Sequence, residues 1–197
     1  PDQPGIAAQL FEILSEGSIN VDLIVQSTHE QNTNDITFTV AANQLEKAEI
    51  LCQKFIERVG GQISAQGDMC KISISGAGIM GRPGIASTLF ENLSRAGINL
   101  RVIATSEVKV SCIIDAKYGS KSLRVISEAF ELVENQIAIN PTLTNNQYPE
   151  VRGVAMDADQ AQINVRKVPD KPGTAAALCS SLAEAGISID AIIQSER

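Results

Sequence analysis

Apolar residues recur at helical spacing over residues 5–16, where Ile6, Leu10, Ile13 and Leu14 share one face. Residues 20–27 (NVDLIVQS) are rich in Val and Ile and predict a strand. The polar stretch 28–34 predicts a turn. Alternation over 35–41 (DITFTVA) predicts a second strand, paired with the first as a hairpin. Helical spacing returns over 44–58, with Leu45, Ala48, Leu51, Cys52 and Phe55 as its buried stripe. Asn43 is the expected cap of that helix and Gly60-Gly61 its stop.

The pattern then starts again. It predicts a strand at 69–75, a loop at 76–82, a helix at 83–96, strands at 98–105 and 109–115, and a helix at 120–132. This β-α-β-β-α order lacks only a closing strand of the ferredoxin-like pattern. Residues 136–149, rich in Asn, Thr and Pro, read as a linker. Strands at 151–156 and 162–168, a helix at 172–185 and a strand at 187–195 follow. The expected modules are 1–67, 68–135 and 151–197, with 136–150 between them. The first module's opening strand is expected before Pro1, and the third stops midway, so the chain reads as a piece of something longer.

Self-similarity underlies this order. Pro4-Gly5, Pro83-Gly84 and Pro172-Gly173 each open a helix, at shifts of 79 and 89 residues. Leu10 and Leu14 recur as Leu89 and Leu93, then as Leu178 and Leu182. A glycine near the helix end (Gly17, Gly97, Gly186) precedes the strands INVDLIVQS, INLRVIATS and ISIDAIIQS. The copies differ in their polar residues. Copy one carries Asp2, Asn20, Asp22 and Gln26; copy three carries Asp170, Ser188, Asp190 and Gln194; copy two has Gly81, Asn99, Arg101 and Thr105. The pattern is A-B-A.

Composition narrows the partners. The 197 residues are 44% hydrophobic, enough for one to three small domains, and the net charge of -7 carries no basic run, which argues against nucleic acid. No apolar run approaches the ~20 residues of a membrane span. Cys52, Cys70, Cys112 and Cys179 are widely spaced and read as free thiols of a cytoplasmic protein.

Two motifs need weighing. Residues 76–81 (GAGIMG) match GxGxxG between a strand and a helix, which would support a nucleotide-dependent oxidoreductase. The other copies lack these glycines, and Arg101 stands near the place of the acidic ribose ligand, so a glycine turn built for close packing is the better reading. His29, the lone histidine, falls in the polar turn with no nucleophile motif nearby. The spacing of the acids matches no metal motif, and no catalytic site is expected. The Asp-x-Pro-Gly turns at Asp2 and Asp170 are different: a helix N-terminus suits a carboxylate. The following strand brings Asn20, Asp22 and Gln26 to one side, where an Asp can hold an ammonium group. Together these describe an amino-acid site. An Asp capping its own helix, beside a solvated Asp22, fits the same residues, and both readings stay open here.

The segments DQPGIAAQLFEILSEGSINVDLIVQS, DITFTV, ISISGAGIMGRPGIASTLFENLSRAGINLRVIATSEVKVSCIID and SEAFEL resemble the regulatory ACT-domain region of aspartate kinases. VRGVAMDADQAQINVRKVPDKPG resembles the lead-in to such a region, as in versions with two tandem pairs. The resemblance implies an α+β fold of tandem ferredoxin-like βαββαβ modules with antiparallel sheets. It implies lysine, threonine or both as effectors bound where modules of two chains pack together, feedback inhibition of aspartate phosphorylation by ATP, and homo-oligomers. It also implies a kinase catalytic domain, with its ATP and Mg, outside these residues. By position, the first site would use Asp2, Gln3, Pro4, Gly5, Ile6 and Ala7, with Asn20, Val21, Asp22 and Gln26. The second module would contribute Ile85, Ala86, Asn99, Leu100, Ser106 and Glu107. The third would use Asp170, Lys171, Pro172, Gly173, Thr174 and Ala175, with Ser188, Ile189, Asp190 and Gln194. Ser188 replaces the family's usual Asn, which implies a different affinity or ligand there. A purely structural oligomerisation region is the remaining alternative.

Overall fold

The computed structural model describes residues 5–29, 33–77, 79, 82, 84–106, 108–139, 156, 161–187, 189 and 191–194. In chain order the elements are α1 (Ile6–Glu16), β1 (Val21–His29), β2 (Thr33–Val40), α2 (Leu45–Val59), β3 (Met69–Ser75), α3 (Ile85–Arg95), β4 (Val102–Ser106), β5 (Lys109–Asp115), α4 (Gly119–Ala129), α5 (Thr174–Glu184) and β6 (Ile193–Gln194).

β1 and β2 form an antiparallel hairpin covered by α1 and α2. Leu10 and Leu14 of α1 pack with Ala48, Cys52 and Phe55 of α2 over Ile36, Phe38 and Val40. Phe11 meets Phe38 edge-on, with ring centroids 5.9 Å apart. A bulge interrupts the hairpin between Val21 and Ile24, and there the Leu23 N–H donates to the Thr39 hydroxyl instead of the ladder. The expected 28–34 turn is shorter than its polarity suggested, because β1 runs through His29 and β2 starts at Thr33. His29 opposes Thr33 as a strand residue rather than a turn residue. Asn43 does not cap α2. It lies in a 3-10 turn, Ala42–Gln44, and Gln44 takes the N-cap place without a side-chain cap.

The second module holds the larger core. β3 and β4 flank β5, all pairs antiparallel, and α3 and α4 lie against the sheet. Leu89, Phe90 and Leu93 of α3 meet Ile72, Ile74, Ile103, Val110, Cys112 and Ile114. The sheet's other face, through Val102, Ile113, Met69 and Ala104, packs on Leu23 and Val25 of β1, so the first two modules share an apolar contact.

β6 of the third module adds to this sheet beside β4, giving the order β3-β5-β4-β6. At the repeat shift of 89, Ala104 is equivalent to Ile193, and these two residues oppose each other in the ladder. Glu91 is equivalent to Ser180, and the Ser180 hydroxyl donates to Glu91 Oε1 at 2.6 Å between α3 and α5. Equivalent residues meeting each other define a local two-fold axis between the second and third modules.

Three expectations change here. Residues 162–168 are exposed coil rather than a strand, because a strand exists only through a hydrogen-bonded neighbour and none lies beside them among the described residues. Leu178 is 41% exposed although its equivalents Leu10 and Leu89 are buried; α5 instead buries Ala176 and Cys179 against the second module. The helix-end glycine is also displaced. Gly97 and Gly186 have φ +71, and the residue equivalent to them in copy one is Ser18, at φ 54, not Gly17. All three ends make the same bonds, from Ser18 N–H to Ser15, Gly97 N–H to Ser94 and Gly186 N–H to Ala183.

Candidate effector site between modules

Each repeat opens its helix the same way. Gly5, Gly84 and Gly173 are the N-caps of α1, α3 and α5 at φ of 95, 100 and 97, the left-handed region that a glycine enters freely. None of these helices has a side-chain cap, so the first-turn N–H groups point outward without an intrahelical partner. Asp170 therefore does not cap α5.

Instead, Asp170 reaches the second module. Asn99 Nδ2 donates to Asp170 Oδ1 at 2.8 Å, joining the turn before α5 to the chain entering β4. Within that turn Thr174 Oγ1 and Lys171 N–H both donate to the Pro169 carbonyl, at 2.9 and 3.0 Å. Pro172 lies in the same exposed turn, and Ala175 packs onto the core. Gly173 passes so close to α3 that an added Cβ would sit 2.8 Å from Ser94 Oγ. Leu100, next to Asn99, is buried.

The two-fold axis creates a mirror site. Gly84, Ile85 and Ala86 at the start of α3, with Thr105 and Ser106 of β4, face Ile187, Ile189 and Ile192 of the third module around a cavity of about 40 Å³. That is room for about three waters, at roughly 10–15 Å³ each, and less than an amino acid needs. The Ile192 N–H donates to Thr105 Oγ1 at 2.8 Å beside it, and Gln194 is held in the ladder opposite Ile103.

In the first module, Gly5, Ile6, Ala7, Asn20, Asp22 and Gln26 line one open groove. Asp22 and Gln26 are exposed and alternate with the buried Leu23 and Val25, so they share a face as the period-two pattern predicts. Val21 pairs with Val40 at the edge of the bulge. Asp22 forms an ion pair with Lys71 of β3, across the module boundary. Sequence reasoning missed Lys71, since the repeat unit begins after β3 and carries no signal for it. Asp2, Gln3, Pro4, Glu107, Ser188 and Asp190 lie outside the described residues.

The sequence pattern grouped the polar residues of each copy separately, while the resemblance implied sites where modules pack together. The structure joins Asn99 of one module to Asp170 of the next, and Ile85, Ala86 and Ser106 to Ile189. The GAGIMG turn does not carry a dinucleotide fold: β5 lies between β3 and β4 and is antiparallel to both, whereas that fold needs adjacent parallel strands. Close packing does not explain Gly76 either, because an added Cβ there meets nothing within 4 Å. Burial raises the thiol pKa values of Cys112 to about 12 and Cys179 to about 11, which keeps both protonated and unreactive. Among the described residues no His, Cys, Asp and Glu cluster could hold a metal, and no helix is long and apolar enough to cross a membrane.

Comparison with known proteins agrees with this architecture. The ACT domain family model matches residues 1–55 and 72–130. An aspartate kinase of Pseudomonas fluorescens is 39% identical over 133 residues, 67% of this chain and 32% of its own length. An aspartokinase of Thermus thermophilus is 37% identical over 134 residues, 67% of this chain and 33% of its length. The crystal structure of aspartate kinase from Synechocystis superposes with a TM-score of 0.90 at 43% identity, covering 100% of this chain and 34% of that one. The ligand-free regulatory subunit of aspartate kinase from Thermus thermophilus gives 0.58 at 36% identity, covering 67% of this chain and 86% of that one. The chain thus belongs to the ACT-domain family, as a tandem-module regulatory region of the aspartate kinase kind. It spans about a third of the length of the curated relatives it matches.

Proposed function

We propose that this chain binds lysine, threonine or both, and passes that occupancy as feedback inhibition to an aspartate kinase catalytic domain. The observation that carries this reading is the Asn99–Asp170 hydrogen bond. It brings an uncapped helix N-terminus, an acid and an amide together across two modules. A free amino acid presents a carboxylate for the helix end and an ammonium group for the acid. Binding there ties two modules together, so occupancy changes how they sit, and linkage makes that change felt by whatever they contact. ATP and Mg would serve the catalytic domain, not these modules. A homo-oligomer built through the modules belongs to the same proposal.

Calorimetry of the chain with lysine, threonine, ATP and NAD tests the reading. At least one of the amino acids is expected to bind, and neither nucleotide. Asp170→Ala is expected to weaken binding at the second-to-third module site about ten- to a hundredfold, the effect of losing a charge-assisted hydrogen bond worth roughly 1.5–3 kcal/mol. In a full-length kinase the same change should relieve inhibition and spare activity. Nucleotide binding with silence from both amino acids overturns the proposal.

A further inference from the structure

The two candidate sites treat their acidic residue differently. In the third module, the partner of Asp170 is the neutral Asn99, and no cation pairs with Asp170 among the described residues. In the first module, Asp22 is already paired with the Lys71 ammonium. The groove that holds Gly5, Ile6, Ala7, Asn20, Asp22 and Gln26 is lined by Lys71, Arg101 and Lys109 and by the acids Asp35, Glu49 and Asp68. Arg101 is itself bound to Asp115 Oδ1 at 3.2 Å, so Lys71 is the cation directed at Asp22.

Resting on the effector reading above, we propose that Lys71 sets the specificity of the first-module site, against amino acids with a cationic side chain and for those with a neutral one. The argument is electrostatic. Asp22 and Lys71 together carry no net charge, so a zwitterion of the threonine class enters without a like-charge contact. Lysine brings a second ammonium group to the part of the groove where Asp22 is already taken and Lys71 stands beside it. Lys71 and Asp22 keep about a third and a half of their side-chain surface in water, so solvent screens the effect to that of one partly exposed pair. Discrimination of about two- to fivefold is expected from that one residue.

The experiment measures lysine and threonine binding by calorimetry on the 197-residue chain. Every protein carries Asp170→Ala, which weakens the second-to-third module site about ten- to a hundredfold, and titrations are kept below the concentrations that fill it. The parent should prefer threonine. Lys71→Met should tighten lysine relative to threonine by about two- to fivefold, and Lys71→Arg, which keeps the charge, should leave the ratio where it was. Lys71 is a surface residue, so circular dichroism should show both variants folded. A parent that prefers lysine, or a ratio unmoved by Lys71→Met, overturns the role of Lys71 and leaves the effector reading standing. Silence of both amino acids in all the proteins, and in the chain with Asp170 intact, overturns the effector reading and this inference with it.

Discussion

Cys112 shows how one buried group reports on the whole core. It sits on β5 with no exposed surface, and burial lifts its thiol to about 12, with Cys179 of α5 adding to the shift. A folded pKa raised above the unfolded value means that the folded state binds its proton more tightly. The stabilisation is complete below about pH 9, the unfolded value, and is lost as pH climbs from there toward 12. Urea midpoints measured from pH 8 to 10.5 should therefore fall, and Cys112→Ala should flatten that fall while lowering stability at every pH. At the same scale, Lys71 and Asp22 illustrate what sequence spacing misses, since 49 residues separate two side chains that meet across a module boundary.

At the scale of the element, the repeated helix ends expose one imperfect copy. Ser18, Gly97 and Gly186 occupy the same left-handed position and make the same carbonyl bonds. A residue with a Cβ strains there by about 1–2 kcal/mol, and a serine bears that strain where a glycine does not. Ser18→Gly is thus expected to stabilise the first module by about 1 kcal/mol, and Gly97→Ser to destabilise the second by about as much. Chemical denaturation of the two variants checks the pair; equal midpoints for both and the parent would refute the equivalence. The repeat had pointed to Gly17 for this role. Reading the strands first, with Ile19, Ile98 and Ile187 as the fixed points, recovers Ser18.

For the whole molecule, the distribution of the core sets the order of opening. The second and third modules share one cluster, in which Leu93, Ile98, Ile103 and Ile114 are fully buried and Ala176 and Cys179 join from α5. The first module has its own smaller cluster around Leu14, Cys52 and Phe55. Regions with less buried apolar contact open at lower free energy. Native-state hydrogen exchange should show β4, β5 and α3 as the slowest amides, α5 opening with or before them, and α1 and α2 opening separately and earlier. Uniform exchange across all three modules would contradict two separate cores.

The sequence by itself determined the repeat and most local elements, although β4 starts at Val102 rather than at 98 and β6 is Ile193–Gln194 rather than the expected 187–195. β3 and β5 lie where alternation put them, and α1, α2, α3 and α5 fall within two residues of their predicted ends, because period and glycine placement are properties of neighbouring residues. It also supplied the Asp-x-Pro-Gly turns and the difference among copies. Tertiary structure decided what those residues face. The two-fold pairing of the second and third modules, the Asn99–Asp170 bond and the Lys71–Asp22 pair all join residues tens of positions apart. The fate of residues 162–168, which the sequence predicts as a strand, was likewise decided by tertiary structure. A helix closes its hydrogen bonds within its own stretch of chain, whereas a strand, a site between modules or an ion pair exists only when a second segment arrives, and spacing along one segment does not specify that arrival.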